Sequence, residues 1–151
     1  MKYAILLLVL CACRSAAVST APNSGFEILV QGYQSGEHSP GYQLITNAED
    51  WHTFWKRHSA WRIPPAPEPA VDFAEKSVIV VRAGDQPSAG WVLATNSVWR
   101  EADVLHVDAV LDVPPSDAVV PQVVTQPYQI LLVPRTSGPL LVKVDQRRIN
   151  R

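Results

Sequence analysis

Covalent hydrolysis needs a nucleophile on a strained turn, a histidine within reach and a group to orient the ring. The chain has four histidines, His38, His52, His58 and His106, but no Gly-x-Ser-x-Gly elbow. His52 and His58 fall on one expected helix six residues apart, so they point about 120° away from each other and form no shared site. No histidine pair has the close spacing of a zinc site, and neither metal nor cofactor is expected. His58 is expected to pack at the helix end or cap its carbonyls, and His106 to occupy the solvent face of a strand. Asp108 and Asp112 share a strand face but lie roughly 13 Å apart at about 3.3 Å per residue, too far for a glycosidase acid and base. Glu49 and Asp50 open the helix, where the macrodipole accounts for them. Gly84 to Gly90 lacks both a Walker lysine and dinucleotide spacing. With no catalytic constellation, the chain reads as a non-enzyme.

The cysteines suggest different chemistry. Lys2, the apolar run Ile5 to Leu10 and Ala12 read as an export signal over residues 1–12, too short to span a bilayer. Leu10-Cys11-Ala12-Cys13 resembles a bacterial lipobox, with Cys13 as the acylated residue and new N-terminus. The alternative is an ordinary secretory signal cut between Ser15 and Thr20. Ser15 to Ser24 is small and polar, and residues 13–24 read as a flexible tether. Arg14 stands where an aspartate would retain the protein at the inner membrane, so the expected location is the outer membrane, facing the periplasm. After cleavage 12 basic residues face 14 acidic ones, which gives no basic excess for nucleic acid. From Arg135 onward five basic residues accompany Asp145 alone, and residues 146–151 read as a basic tail.

Residues 25–145 are the size of one domain. Apolar residues make up 47% of the chain and charged residues 18%, a globular balance. Phe26 to Tyr33 and Tyr42 to Thr46 read as strands around a turn-rich loop. Thr46 and Glu49 have capping-box spacing. Trp51, Phe54, Trp55 and His58 recur at i, i+3, i+4 and i+7, which predicts a helix from Ala48 to Ser59 with an aromatic face lying on a sheet. Pro64, Pro65, Pro67 and Pro69 form a stiff connector. Strands are expected at Ser77 to Ala83, Trp91 to Trp99, Val104 to Val113, Tyr128 to Pro134 and Leu140 to Val144. Val104 to Val113 alternates, with one face wet, whereas Val78 to Val81 and Ile130 to Val133 are apolar on both faces, as central strands are. The expected fold is mainly β: an antiparallel β-sandwich or partly open barrel with one short α-helix packed on it.

One long connection has a defined shape. Gly84-Asp85-Gln86-Pro87-Ser88-Ala89-Gly90-Trp91 has glycines near both ends and a proline that presets one backbone angle. Another runs from Val113-Pro114-Pro115 to Thr125-Gln126-Pro127-Tyr128. Together with Val71-Asp72-Phe73 and Val78 to Val81, these segments resemble the C-terminal domain of PrcB-type protease-complex subunits, which are small bacterial lipoproteins. Ser88 replaces the usual threonine of that pattern and Trp91 the usual tyrosine. The resemblance implies a non-catalytic accessory module that binds another envelope protein, such as a secreted or outer-membrane protease complex. Gly84, Pro87, Ser88, Gly90, Trp91, Pro127 and Tyr128 are the candidate partner-binding residues. Two alternatives stand beside it. The turn is similar to a loop of chagasin-like protease inhibitors, so Gly84 to Gly90 would inhibit directly, or the protein is a small-ligand-binding envelope lipoprotein.

Overall fold

The computed structural model describes residues 25–149, so the expected export signal, Cys13, the whole tether and the last two residues of the basic tail lie outside the described residues. Its elements are β1 (Glu27–Gly32), β2 (Gly41–Ile45), α1 (Ala48–His58), β3 (Lys76–Arg82), β4 (Val92–Glu101), β5 (Val104–Val113), β6 (Tyr128–Pro134) and β7 (Leu140–Arg148). They form a four-stranded sheet in the order β1-β6-β3-β2 and a three-stranded sheet in the order β4-β5-β7. The fold is the expected mainly-β sandwich with one helix, built as two sheets and not as a closed barrel.

β3 and β6 carry apolar residues on both faces because both faces are covered. Val78, Val80 and Ile130 pack with Trp51, Phe54 and Trp55 of α1, whereas Ile79, Val81, Leu131 and Val133 pack with Leu93, Val98, Leu105, Val107 and Leu111 of the second sheet. The four-stranded sheet is thus a middle layer between the helix and the second sheet. Burying each Val, Leu or Ile contributes about 1.5–3 kcal/mol, so both cores stabilise the fold substantially. The proline connector closes the helix layer. Its carbonyls at Pro69 and Ala66 accept the indole N–H groups of Trp51 (3.0 Å) and Trp55 (2.9 Å). Between the sheets, buried Gln129 accepts the Thr95 N–H at 2.7 Å and donates to Gln31 at 3.0 Å, so this core polar group has partners on both sides.

Three details differ from the sequence expectation. The helix is capped by Asn47, not Thr46: Asn47 Oδ1 accepts the Asp50 N–H at 2.9 Å, and its amide donates to the Asp50 carboxylate at 2.7 Å. Both residues are good caps, and starting one residue later still aims Trp51 and Phe54 at the sheet. β5 and β7 pair in parallel, because β7 returns to the edge beside β5 after the intervening β6 has crossed to the other sheet. β7 also continues past Val144 to Arg148, held there by the bidentate Arg147–Asp112 pair at 2.7 and 2.8 Å.

Candidate functional site

The antiparallel pairings place Gly32, Gly41, Arg82 and Tyr128 at one end of the four-stranded sheet. β4 begins and β5 finishes at that same end, which therefore gathers the connections 33–40, 83–91 and 114–127. Because β3 and β4 belong to different sheets, the 83–91 segment is a crossover between layers and not a hairpin turn. β1 starts at the opposite end, where Glu27 pairs with Leu132.

The three loops are fastened to one another. Gln86 and Thr125 exchange backbone bonds at 2.7 and 3.1 Å, the Ala89 N–H donates to the Pro121 carbonyl at 3.0 Å, and Thr125 Oγ1 donates to the Ser88 carbonyl at 3.0 Å. On the other flank the Asp85 N–H donates to the His38 carbonyl at 3.0 Å, and the Gln126 N–H to the Tyr33 carbonyl at 2.7 Å. The Asp85 carboxylate meets His38 Nδ1 at 2.9 Å and accepts from the Gln126 amide at 2.8 Å. Hydrogen bonds from Gln126 first, and then His38, hold the Asp85 carboxyl below its usual pKa. Sequence-distant loops tied this way lose little conformational freedom on binding.

The expected partner-binding residues divide between surface and interior. Pro87 and Gly90 are exposed. Gly84 and Gly90 take the positive φ values of 72° and 90° that favour glycine, and a Cβ on Gly84 would lie 2.6 Å from the Pro40 nitrogen. Ser88, Pro127 and Tyr128 are buried, and the Pro127 carbonyl accepts the Ala83 N–H at 2.9 Å. Trp91 packs against the inter-sheet core, with its Nε1 buried and without an acceptor among the described residues. These four inward-facing residues shape the loop end and offer little surface to a partner.

Sequence reading missed what does face outward. Tyr33, Val119, Val123 and Val124 on two of these loops are exposed, as are Trp61 and Ile63 just beyond the helix C-terminus, which reaches the same end through the Gly36 N–H to His58 carbonyl bond. Below them, Tyr33, Ala89, Gly90, Val92 and Thr125 line a crevice of about 310 Å³. A smaller one of about 130 Å³ adjoins it through Tyr33 and Val92 and reaches Gln31 and Tyr128. Exposed valines in a proline-rich loop have no periodicity, so only their convergence marks them.

A buried Ser–His pair lies beneath this surface. Ser35 Oγ is 2.9 Å from His58 Nδ1 and accepts the Glu37 N–H at 3.0 Å. Both side chains are sealed, with Ser35 1% and His58 2% exposed, and the imidazole lies against Phe54, Trp55 and Tyr128. No substrate can reach that hydroxyl. Burial pushes the His58 pKa down to about 4, against the opposing pull of Glu37. Burial raises the Glu37 pKa, but hydrogen bonds and charges from Arg57 and Arg82 outweigh it and leave that carboxyl below its ordinary value. The arrangement braces the helix end against the 33–40 loop.

Several other titratable residues named from sequence have structural partners. His52 Nδ1 meets Glu68 at 2.8 Å, His106 stacks on Trp99 at 5.1 Å, and Asp108 accepts from Asn96 at 3.0 Å. Among the described residues no three of His, Cys, Asp and Glu come together as metal ligands.

No curated protein and no solved structure matches the chain significantly. A family model described as PrcB C-terminal does match, over residues 77–134. The match runs from β3 through β6 and includes both the inter-sheet crossover and the long loop bonded to it. The segment from β3 to β6 is therefore similar to the PrcB C-terminal family.

Proposed function

We propose that this protein is a non-catalytic, lipid-anchored module of the bacterial cell envelope that binds another envelope protein, a secreted or outer-membrane protease complex, through its loop end. The family match supports association with such a complex. The observation that carries the choice of surface is the group of exposed apolar side chains: Tyr33, Val119, Val123 and Val124 on loops braced by the Gln86–Thr125 and Asp85–His38 contacts, with Trp61 and Ile63 beside them beyond the helix C-terminus. Exposed apolar groups on a pre-shaped scaffold favour protein contact. β1 begins at the end of the fold opposite these loops, so a flexible tether at Cys13 would leave them free to meet a partner.

Pull-down from detergent-solubilised envelopes tests this. The wild-type protein should recover a protease subunit in stoichiometric amount, and the Tyr33→Ser/Val124→Ser variant should recover much less while keeping the same melting transition. Recovery of the protein alone after mild crosslinking, or equal recovery by both forms, would refute the reading. Direct inhibition by Gly84 to Gly90 has less support, because Ala89 and the Ser88 carbonyl are bonded back onto the 121–125 segment.

A further inference from the structure

β7 is an edge of the three-stranded sheet, and among the described residues no strand pairs with its outer side. Its pairing with β5 is bracketed by the Leu105 N–H bonding to the Pro139 carbonyl at 3.0 Å and the Ile149 N–H to the Val113 carbonyl at 3.1 Å. Peptide directions alternate along a strand, so the odd-numbered residues of β7 face β5. Leu140, Val142, Val144, Gln146 and Arg148 therefore turn their backbone N–H and C=O groups outward. The edges formed by β1 and β4 each contain a register shift and β2 is only 5 residues long, whereas β7 pairs without interruption from Leu140 to Arg148 and contains no proline. From Lys143 onward every residue of β7 is exposed, on both faces of the strand. A long regular edge of this kind is a template for another strand.

We propose that β7 pairs antiparallel with β7 of a second copy of this chain, about a two-fold axis at Val144, so that the two three-stranded sheets join into one. Charge selects both the occupant and the register. Centring the pair on Lys143 or on Asp145 would set like charges directly opposite, and centring it on Val142 would set Lys143 against Leu141 and Asp145 against Pro139, with no ion pair across the axis. Centring it on Gln146 would oppose Asp145 to Arg147, which is already held by Asp112. Centring it on Val144 sets Lys143 opposite Asp145 twice, with Val142 opposite Gln146, Leu141 opposite Arg147 and Val144 opposite itself, and is the register in which the pair of opposite charges not held by Asp112 meets. Lys143 already bonds Asp145 of its own strand, so the four side chains form one alternating cluster across the axis. An isologous contact requires this kind of self-complementarity.

Sedimentation equilibrium of the purified full chain, with reductant present to exclude disulfides, provides the test. The wild-type chain should dimerise. Lys143→Asp and Asp145→Lys should each weaken dimerisation roughly tenfold or more, since like charges directly opposite destabilise a strand pair. An equimolar mixture of the two variants should regain association, as should the double exchange variant Lys143→Asp/Asp145→Lys. Restored association in the mixture distinguishes a direct contact from damage to the fold. A monomeric wild-type chain, single variants that dimerise like wild type, or a mixture that stays dissociated would each overturn the proposal.

Discussion

Acid should destabilise this protein through His58 in a pH window set by its burial. The imidazole has an ordinary value of 6.5 and is pushed down to about 4 in the fold, so the unfolded chain binds a proton that the folded chain refuses. His58 therefore favours folding fully above pH 6.5, and its contribution declines as pH falls toward 4 and is then exhausted. A shift of that size corresponds to about 3 kcal/mol at 1.36 kcal/mol per unit, of which about 2 kcal/mol should be gone by pH 5. Glu37 acts lower. Its folded value is depressed below 4.5, so its contribution is lost only as pH falls through that carboxylate range. Denaturant unfolding between pH 7.5 and 4.5 separates the two groups, with His58→Phe as the control. Phenylalanine keeps the contacts with Phe54 and Tyr128, costs about 1 kcal/mol through the lost Ser35 hydrogen bond, and removes the titration. The variant should overtake wild type as the pH falls. A wild-type stability that is flat from pH 6.5 to 5, or a slope that persists in His58→Phe, would refute the assignment.

The helix start and the loop junction offer two further tests by thermal or denaturant unfolding. Asn47→Ala should cost about 1 kcal/mol through the lost cap, while Thr46→Ala at the exposed neighbouring position should change stability by less than about 0.5 kcal/mol. Equal costs would put the cap back in doubt. Gly84→Ala should cost about 1–3 kcal/mol, because its φ is 72° and the added Cβ would press on Pro40. A neutral outcome would mean that the 33–40 and 83–91 loops are not packed as described.

Elements with a periodic signal were readable from sequence because burial in a strand or helix repeats at a fixed interval. Val104 to Val113 alternates and became β5, Val78 to Val81 is apolar on both faces and became a strand between two cores, and the aromatic spacing from Trp51 to His58 became the buried face of α1. The cap assignment slipped by one residue because Thr46 and Asn47 are adjacent and both suit the role. The partner-binding set named from the 84–91 and 127–128 segments falls at the loop end but divides between surface and interior. Ser88 and Tyr128 are turned inward, and Tyr33, Val123 and Val124 outward.

Sequence alone determined the element types, their order, the three-layer potential of β3 and β6, and the family resemblance now matched over residues 77–134. Tertiary structure alone decided which strands share a sheet, that β7 lies parallel to β5, and that Ser35 meets His58 and Asp85 meets His38. The reason is range: periodicity records which face of an element is buried, whereas the choice of what buries it depends on contacts between residues far apart in the chain. Their energies are settled only when all the layers close together.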